Sequence, residues 1–538
     1  MWKYNPFMEN LDKIFIDTKN IKTVNPNQSI QSAIDSITDA SEENQYMIFI
    51  SPGLYKIDSP IIVKEWIHLY CPVPYGAVIR AVADFDDYIL QLFSNSSIHG
   101  LYLDANYKSK GALVANRENF IVSYCLFQKN KNGVSFAIHN SHNGLILNSI
   151  ARLSRGDDGF SVEENPEGVS SHISFVNCRS YDHYQESAGT MHGFEVEDGC
   201  HHITFENCFS WNCMGIGIHS HTGEPPCHHI SIIGGIHCRF QISADSDIGK
   251  AYSIFVNTTI DPYQEKNIIN IDPNYWSCNI NAVENSEFNL KIKNMYLNIT
   301  NVERCNFNVS IYNYYLNVSN SKNSKILVYI KRSTSQPKSL LTQDALSGQD
   351  YALVEDASEF EEGQQLQIED DNSSEYIVIR SIDLSDNKLY FTCNLVNSYY
   401  VANNGKVKMP YSRATVFSNS CENLTIEVHT EGWSYYPKIQ TSGIDFKPIR
   451  KYYKETLNSN LTIYPNTAQK YLLDANGTDR NIAPATLSDL WPEGYEILIT
   501  NIGSSGDLIF DPSGINSSIL PGESKRFIYD GTQWREIT

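Results

Sequence analysis

Glu163, Glu195, Glu197 and His219 recur at matched offsets behind glycines. The segments are Gly133-Val-Ser-Phe-Ala, Gly159-Phe-Ser-Val-Glu, Gly193-Phe-Glu-Val-Glu and Gly215-Ile-Gly-Ile-His. Their period-two alternation marks half-buried strands. Residues two and four places after each glycine share a face. Position two holds Ser135, Ser161, Glu195 and Gly217; position four holds Ala137, Glu163, Glu197 and His219. With neighbouring strands ~4.8 Å apart, Glu163, Glu197 and His219 form an outward ladder, with Glu195 beside it. Carboxylates so close resist joint ionisation, and one holds its proton toward neutral pH. A protonated carboxyl beside an ionised one can cleave a glycosidic bond. Roughly 5–5.5 Å between them suits retention of configuration and roughly 6.5–9.5 Å inversion. The plainer alternative is an acidic face kept for solvation.

Further candidates surround this ladder. Asp157 and Asp158 precede the second strand in Arg155-Gly-Asp-Asp-Gly-Phe, and His192 takes the place of Asp158 one repeat later. Capping of a turn is the structural alternative for the two aspartates. Arg155 and Arg179 can bind anionic groups. Tyr181 and Trp211 align and offer flat faces for sugar rings, or pack under the long arm Tyr181-Asp-His-Tyr-Gln-Glu-Ser. His221 is a further substrate contact. No standard ligand spacing occurs, so no metal site and no cofactor are expected, with Ca²⁺ or another divalent ion bridging the acids as the alternative.

These residues sit in a repeat. Asn143-Gly-Leu, His172-Ile-Ser, His202-Ile-Thr and His229-Ile-Ser superimpose, matching Leu145, Ile173, Ile203 and Ile230, with an earlier copy near Phe120. Short strands, Gly and Asn turns and a period near 27 describe a parallel β-helix. In this register Cys125, Ile150, Cys178 and Cys208 form an inward column. Asn177 and Asn207 fall at a turn, where stacked amides can hydrogen-bond along the axis. The expected fold is therefore all-β: a right-handed parallel β-helix with an inserted small β-domain and a C-terminal β-sandwich-like domain. The boundaries are an N-terminal segment at 1–28 and the β-helix at 29–344. Within the latter, a capping helix lies near 29–40, started by Ser29, and regular coils span 95–256. A barrel-like insertion follows at 345–410, then the end of the β-helix at 411–454 and a C-terminal β-domain at 455–538.

Composition narrows the function. The 538 residues carry a net charge of −21, which opposes a nucleic-acid partner. No apolar run approaches the roughly 18 residues of a membrane span. The start, Met1-Trp-Lys-Tyr-Asn-Pro, lacks the apolar core of a secretory signal. The 12 cysteines show no paired C-x-x-C spacing and read as buried thiols.

Three segments carry a family resemblance. Tyr4-Asn-Pro-Phe-Met-Glu-Asn-Leu-Asp resembles an N-terminal segment of phage tail proteins. Ala33-Ile-Asp with Ile50-Ser-Pro-Gly-Leu-Tyr resembles the β-helix entry of the pectate-lyase-like superfamily. Pro521-Gly-Glu-Ser with Tyr529-Asp-Gly-Thr-Gln-Trp resembles the end of phage fibre domains. Together they resemble a bacteriophage tailspike or tail appendage depolymerase. The resemblance implies a homotrimer on the virion tail, attached to tail or baseplate proteins through residues 1–28. It would act at the host cell surface, with residues 455–538 serving trimerisation or receptor and glycan binding. The bound polymer would be a bacterial surface polysaccharide or teichoic acid. The Asp157-Asp158 and Met191-His192-Gly193 elements partly resemble those of polygalacturonase-type hydrolases, whose Asn-Thr-Asp and Arg-Ile-Lys elements are absent from their places. The leading expectation is glycoside hydrolysis by Asp157, Asp158, Glu163, His192, Glu195, Glu197 and His219. A polysaccharide lyase, a metal-dependent teichoic-acid phosphodiesterase and a non-catalytic receptor-binding spike are the competing readings.

Overall fold

The computed structural model describes residues 20–183, 191–244, 248–261, 277–293, 295–312, 316–331, 338–360, 362, 364–408, 415–417, 421, 424–431, 444–447, 453–463, 470–484, 495–512, 516–530 and 533–537. Two compact units result. The first runs to 276 and adds Ala282–Glu287 and Tyr390–Asn394; the second takes the rest. The tail-like segment at residues 4–12 and most of the long arm, 184–190, lie outside the described residues.

The first unit is a parallel β-helix. One strand column runs through Glu118–Ser123, His142–Leu147, Ser171–Val176 and His201–Glu206 to His228–His237. A second stacks Leu126–Gln128, Ile150–Arg152, Arg179–Tyr181 and Phe209–Trp211. A third stacks Phe136–His139, Phe160–Glu163, Phe194–Glu197, Ile216–His219 and Phe240–Ser243. Every pairing is parallel, so each coil buries its inner face only by lying on its neighbours. Inward aromatics fill the axis. Phe160 stacks on Phe194 at 5.3 Å and Phe175 on Phe205 at 5.0 Å. The two stacks meet edge to face, with Phe194 5.5 Å from Phe205.

The register departs from the repeat reading at three points. Gly144, not Leu145, pairs with Ile173. A Cβ on Gly144 would meet the Phe120 ring at 2.2 Å, so that ring already fills the inward space. Ser149, not Ile150, joins the column of Cys125, Cys178 and Cys208; it accepts the Cys125 N–H at 3.2 Å, and Ile150 pairs with Arg179 one place on. In the third column Phe136, not Val134, pairs with Phe160. The inward aromatic sets the register there, so Ala137 lies opposite Ser161 and His139 opposite Glu163.

Turns explain the asparagines. Asn148, Asn177 and Asn207 adopt φ of 47°, 53° and 50°, the left-handed region that asparagine tolerates. Their N–H groups continue the coil-to-coil bonding. A side-chain amide ladder lies in another column, from Asn143 to Asn119 to Asn95. None of the twelve cysteines is in a disulfide, and all but Cys393 are buried.

Ser29 caps the helix as expected, accepting the Ser32 N–H at 3.1 Å, but the helix is only Ile30–Asp35. Asn20–Val24 already pairs with Tyr46–Ile50, so the parallel sheet starts before that helix, inside the stretch read as a separate 1–28 segment. Backbone pairing, invisible to a motif reading, sets that edge.

The second unit opens with parallel coils. Ser277–Asn281, Tyr296–Thr300 and Leu316–Ser319 stack, as do Asn306–Tyr312, Lys325–Lys331 and Leu424–Glu431. Lys325–Lys331 pairs directly with Leu424–Glu431, and Leu316–Ser319 with Thr415–Phe417, so the described residues from 338 to 408 form an insertion between successive coils. That insertion is a six-stranded sheet whose first and last strands, Lys338–Leu340 and Tyr351–Leu353, are joined by the Leu341–Val354 bridge, which closes it like a barrel. Beyond residue 452, five-stranded and four-stranded sheets enclose a core including Tyr471, Ile499, Phe510, Phe527 and Trp534. Their first pairings are parallel and their last antiparallel, so this sandwich is mixed.

Phe194→Ala is expected to cost ~3–5 kcal/mol, read as a lower midpoint of thermal or urea unfolding. An unchanged midpoint would mean that the aromatic stack is not one continuous core.

Candidate active site

The third strand column carries the acids. Glu195 and Glu197 alternate outward from Phe194–Glu197, while Phe194 and Val196 point into the core. Glu197 lies opposite His219. Glu163 and His139 face one another one coil away, with His139 Nε2 3.0 Å from Glu163 Oε2. The outward row therefore reads His139, Glu163, Glu197, His219, Ser243. His139 was missed in the sequence because the glycine, rather than the phenylalanine, set the alignment.

An open cleft of about 740 Å³ lies along this row, lined by Glu163, Glu164, Glu167, Glu197, Asp198 and Glu224 with Asn165, Pro166 and Gly168. Asp198 follows the strand directly and is buried, with φ of 43°. It accepts the His221 backbone N–H and the His221 ring Nδ1, both at 2.7 Å. His221 is thereby held at the rim, and the carboxylate favours its charged form. Asp198 was not among the sequence candidates; an acid abutting the turn glycine Gly199 was the signal available.

Electrostatics separates the carboxyls. Burial raises Glu197, Glu163 adds to the rise, and the carboxyl reaches about 7. Burial also works to raise Glu163, but the hydrogen bond and charge of His139 outweigh it and leave the group below its ordinary value. Asp157 is exposed, yet the protein around it displaces water, and with the charge of Glu163 this lifts it to about 6. Glu195 is pushed up by burial first and then by Glu197.

Behind the row lies a tighter cluster. His192 is buried, with Nδ1 3.0 Å from Glu195 Oε1. Its backbone N–H donates to the buried Asp158 carboxylate. His219 Nε2 is 3.4 Å from His192 Nε2, and its Nδ1 is 3.0 Å from Ser243 Oγ. Burial keeps both rings neutral: His192 falls well below its ordinary value and His219 to about 4.

The candidate contacts are otherwise engaged. Tyr181 and Trp211 stack on one another at 4.2 Å and 7°, so these two faces are spent on each other. The Arg155 guanidinium lies 3.7 Å over the Tyr107 ring. Arg179 is exposed in the second column, opposite Ile150 and Phe209. The structure thus gathers Asp158, Glu163, His192, Glu195, Glu197 and His219, with Asp157 coupled to them through charge. It gives Arg155, Tyr181 and Trp211 other partners. The histidines that begin coils stack in two outer columns, His172 on His202 on His229 and His201 on His228, each at 4.6 Å.

Glu197 makes stability depend on pH with a definite sign. Its folded value is above the unfolded one, so the native state favours the protonated carboxyl. That contribution is complete below the ordinary value and is lost as pH rises through about 7. Glu197→Gln should therefore match the parent near pH 4 and be more stable above pH 7 by roughly 1–3 kcal/mol. Thermal unfolding across this range measures it, and equal melting temperatures at pH 8 would refute the raised value.

No protein-family model matches the chain. Over 80 residues, 15% of this chain, it is 35% identical to a pre-neck appendage protein of Bacillus phage phi29. It is 34% identical over 80 residues to a preneck appendage protein of Bacillus phage PZA. The match spans only 8% of the length of each relative. Among solved structures, the pre-mature phi29 gene product 12 aligns over 86% of this chain and 62% of that one, at 13% identity and a TM-score of 0.47. The catalytic domain of a GH87 α-1,3-glucanase aligns over 61% of this chain and 65% of that one, at 13% identity and a TM-score of 0.37. The chain is a parallel β-helix protein whose sequence likeness runs to phage pre-neck appendage proteins.

Proposed function

We propose that this protein is a tail appendage of a phage virion that binds and depolymerises a bacterial cell-surface polysaccharide by glycoside hydrolysis. The likeness to pre-neck appendage proteins supports the setting. The observation that carries the chemistry is the Glu163–Glu197 pair on adjacent coils in opposite environments. Glu197 holds its proton to about 7, whereas His139 keeps Glu163 ionised. Glu197 protonates the departing glycosidic oxygen as a general acid. Glu163 stabilises the developing positive charge and bonds to the anomeric carbon. Neighbouring strands place the two residues ~4.8 Å apart at the backbone, close to the roughly 5–5.5 Å between carboxyls of a retaining pair. Water then releases the sugar with Glu197 as base. Asp157, lifted to about 6, is coupled to the pair through the charge of Glu163. The protein acts as a homotrimer at the host surface.

A second reading is a teichoic-acid phosphodiesterase. The observation in its favour is the His192–Glu195–His219 cluster, whose donors lie within 4.8 Å of one another as a metal-assisted site requires.

Product analysis on capsular, exopolysaccharide and teichoic-acid preparations separates these readings. The hydrolase releases reducing ends with no new double bond, and the first product formed has the retained anomeric configuration. The pH profile of kcat/KM should be bell-shaped. Its acid limb lies below the ordinary carboxylate range, where Glu163 gains a proton; its alkaline limb lies near 7, where Glu197 loses one. Glu197→Gln should lower kcat by ~10²–10⁴ and erase the alkaline limb. Full activity in both Glu163→Gln and Glu197→Gln would remove the pair from the chemistry. Phosphate-ester products that vanish with chelator would favour the second reading, and binding without cleavage would leave a receptor-binding spike.

A further inference from the structure

His192, Glu195 and His219 share a pocket that hydrolysis by Glu163 and Glu197 does not use. Their contacts lie close to those of metal ligands. His219 Nε2 is 3.4 Å from His192 Nε2 and 3.5 Å from Glu195 Oε1. Donor atoms held at ~2.0–2.1 Å around a tetrahedral ion sit roughly 3.3–3.4 Å from one another. Two edges of such a polyhedron are therefore already nearly at length. Ordinary hydrogen bonding explains the pocket poorly. The His192 side chain is 1% exposed, and its Nδ1 has no hydrogen-bond partner, since the nearby Glu195 oxygen lies off the bonding direction.

Gly217 supplies an independent observation. It lies in the middle of the strand Ile216–His219, opposite Glu195, where no turn calls for glycine. A Cβ there would stand 2.7 Å from His219 Nε2 and 2.8 Å from His192 Nε2. Glycine there lets both imidazole nitrogens close against the strand backbone, an approach that any side chain would block. Asp158 lies behind, accepting the His192 backbone N–H, with Oδ1 3.8 Å from His192 Nδ1.

We propose that His192, Glu195 and His219 bind a divalent transition-metal ion of the zinc class where their donor atoms converge beside the bare backbone of Gly217. Two nitrogens and one carboxylate select against Ca²⁺ and Mg²⁺, which prefer oxygen donors throughout. Three protein ligands leave a further position for water or a substrate oxygen. This site stands independently of the roles given to Glu163 and Glu197.

The test uses the full-length protein, stripped with chelator and titrated with Co²⁺ and then Zn²⁺. The parent should take up metal stoichiometrically, show the visible absorption of low-coordinate Co²⁺, and lose it to Zn²⁺. Glu195→Gln and His219→Ala should weaken binding at least ~10-fold, the loss that even outer partners cause. Gly217→Ala keeps all three ligands but pushes both imidazoles off the strand, and should lose the Co²⁺ absorption with an unchanged circular dichroism spectrum. If it misfolds, Glu195→Gln decides. His202→Asn, in the outer histidine stack, should bind as the parent does. The proposal fails if the stripped parent binds neither ion, or if Glu195→Gln and Gly217→Ala bind as tightly as the parent. A parent that cleaves polysaccharide without binding metal overturns only this proposal; one that binds metal and cleaves nothing overturns only the hydrolase reading.

Discussion

Coil stacking at strand spacing is the constraint on which everything else in the first unit depends. A single coil has too little inner surface to bury, so the core exists only as a continuous column of side chains from successive coils. The same parallel hydrogen bonds that close the aromatic column align the outer residues. Phe160 on Phe194 inside and Glu163 beside Glu197 outside are two consequences of one register. Carboxylates are brought together because the core leaves them no other position.

That enforced proximity carries an electrostatic cost, and the neighbours divide it unequally. Glu163 has a histidine partner in His139, and its charge is tolerated. Glu197 has acids around it, and its proton is retained to about 7. Glu195 lies deeper, and burial raises it well above its ordinary value. Adjacent strands thereby present carboxyl groups in different protonation states at the same pH, which acid/base chemistry requires. Asp198 and His221 add a paired acid and base at the rim.

Histidine plays separate parts according to where the coil places it. His183 and His237 are buried against Ser180 and Ser210 and serve the core. His172, His202 and His229 take left-handed turns at the surface, with φ of 57°, 57° and 55°, and stack face to face. His192 and His219 converge on Glu195. The residue type is constant; the column decides whether it packs, turns or meets an acid.

The β-helix was legible because its signals are local and repeated: alternating strands, Asn and Gly at turns, and apolar residues at a steady interval. Glu163, Glu197 and His219 were legible for the same reason. The errors arose where one coil differs from the next. Gly144 yields its inward place to the Phe120 ring, and Phe136 rather than Gly133 sets the register, so His139 stayed hidden. Tyr181 and Trp211 were aligned correctly, but alignment does not reveal that their faces meet each other. The sequence alone determined the solenoid and the row of acids, because both follow from periodicity. Tertiary structure decided which acid has a histidine partner, which is crowded, and which nitrogens close on Gly217. Those outcomes depend on distances of a few ångströms between residues some thirty positions apart, and on the water that the packed coils exclude.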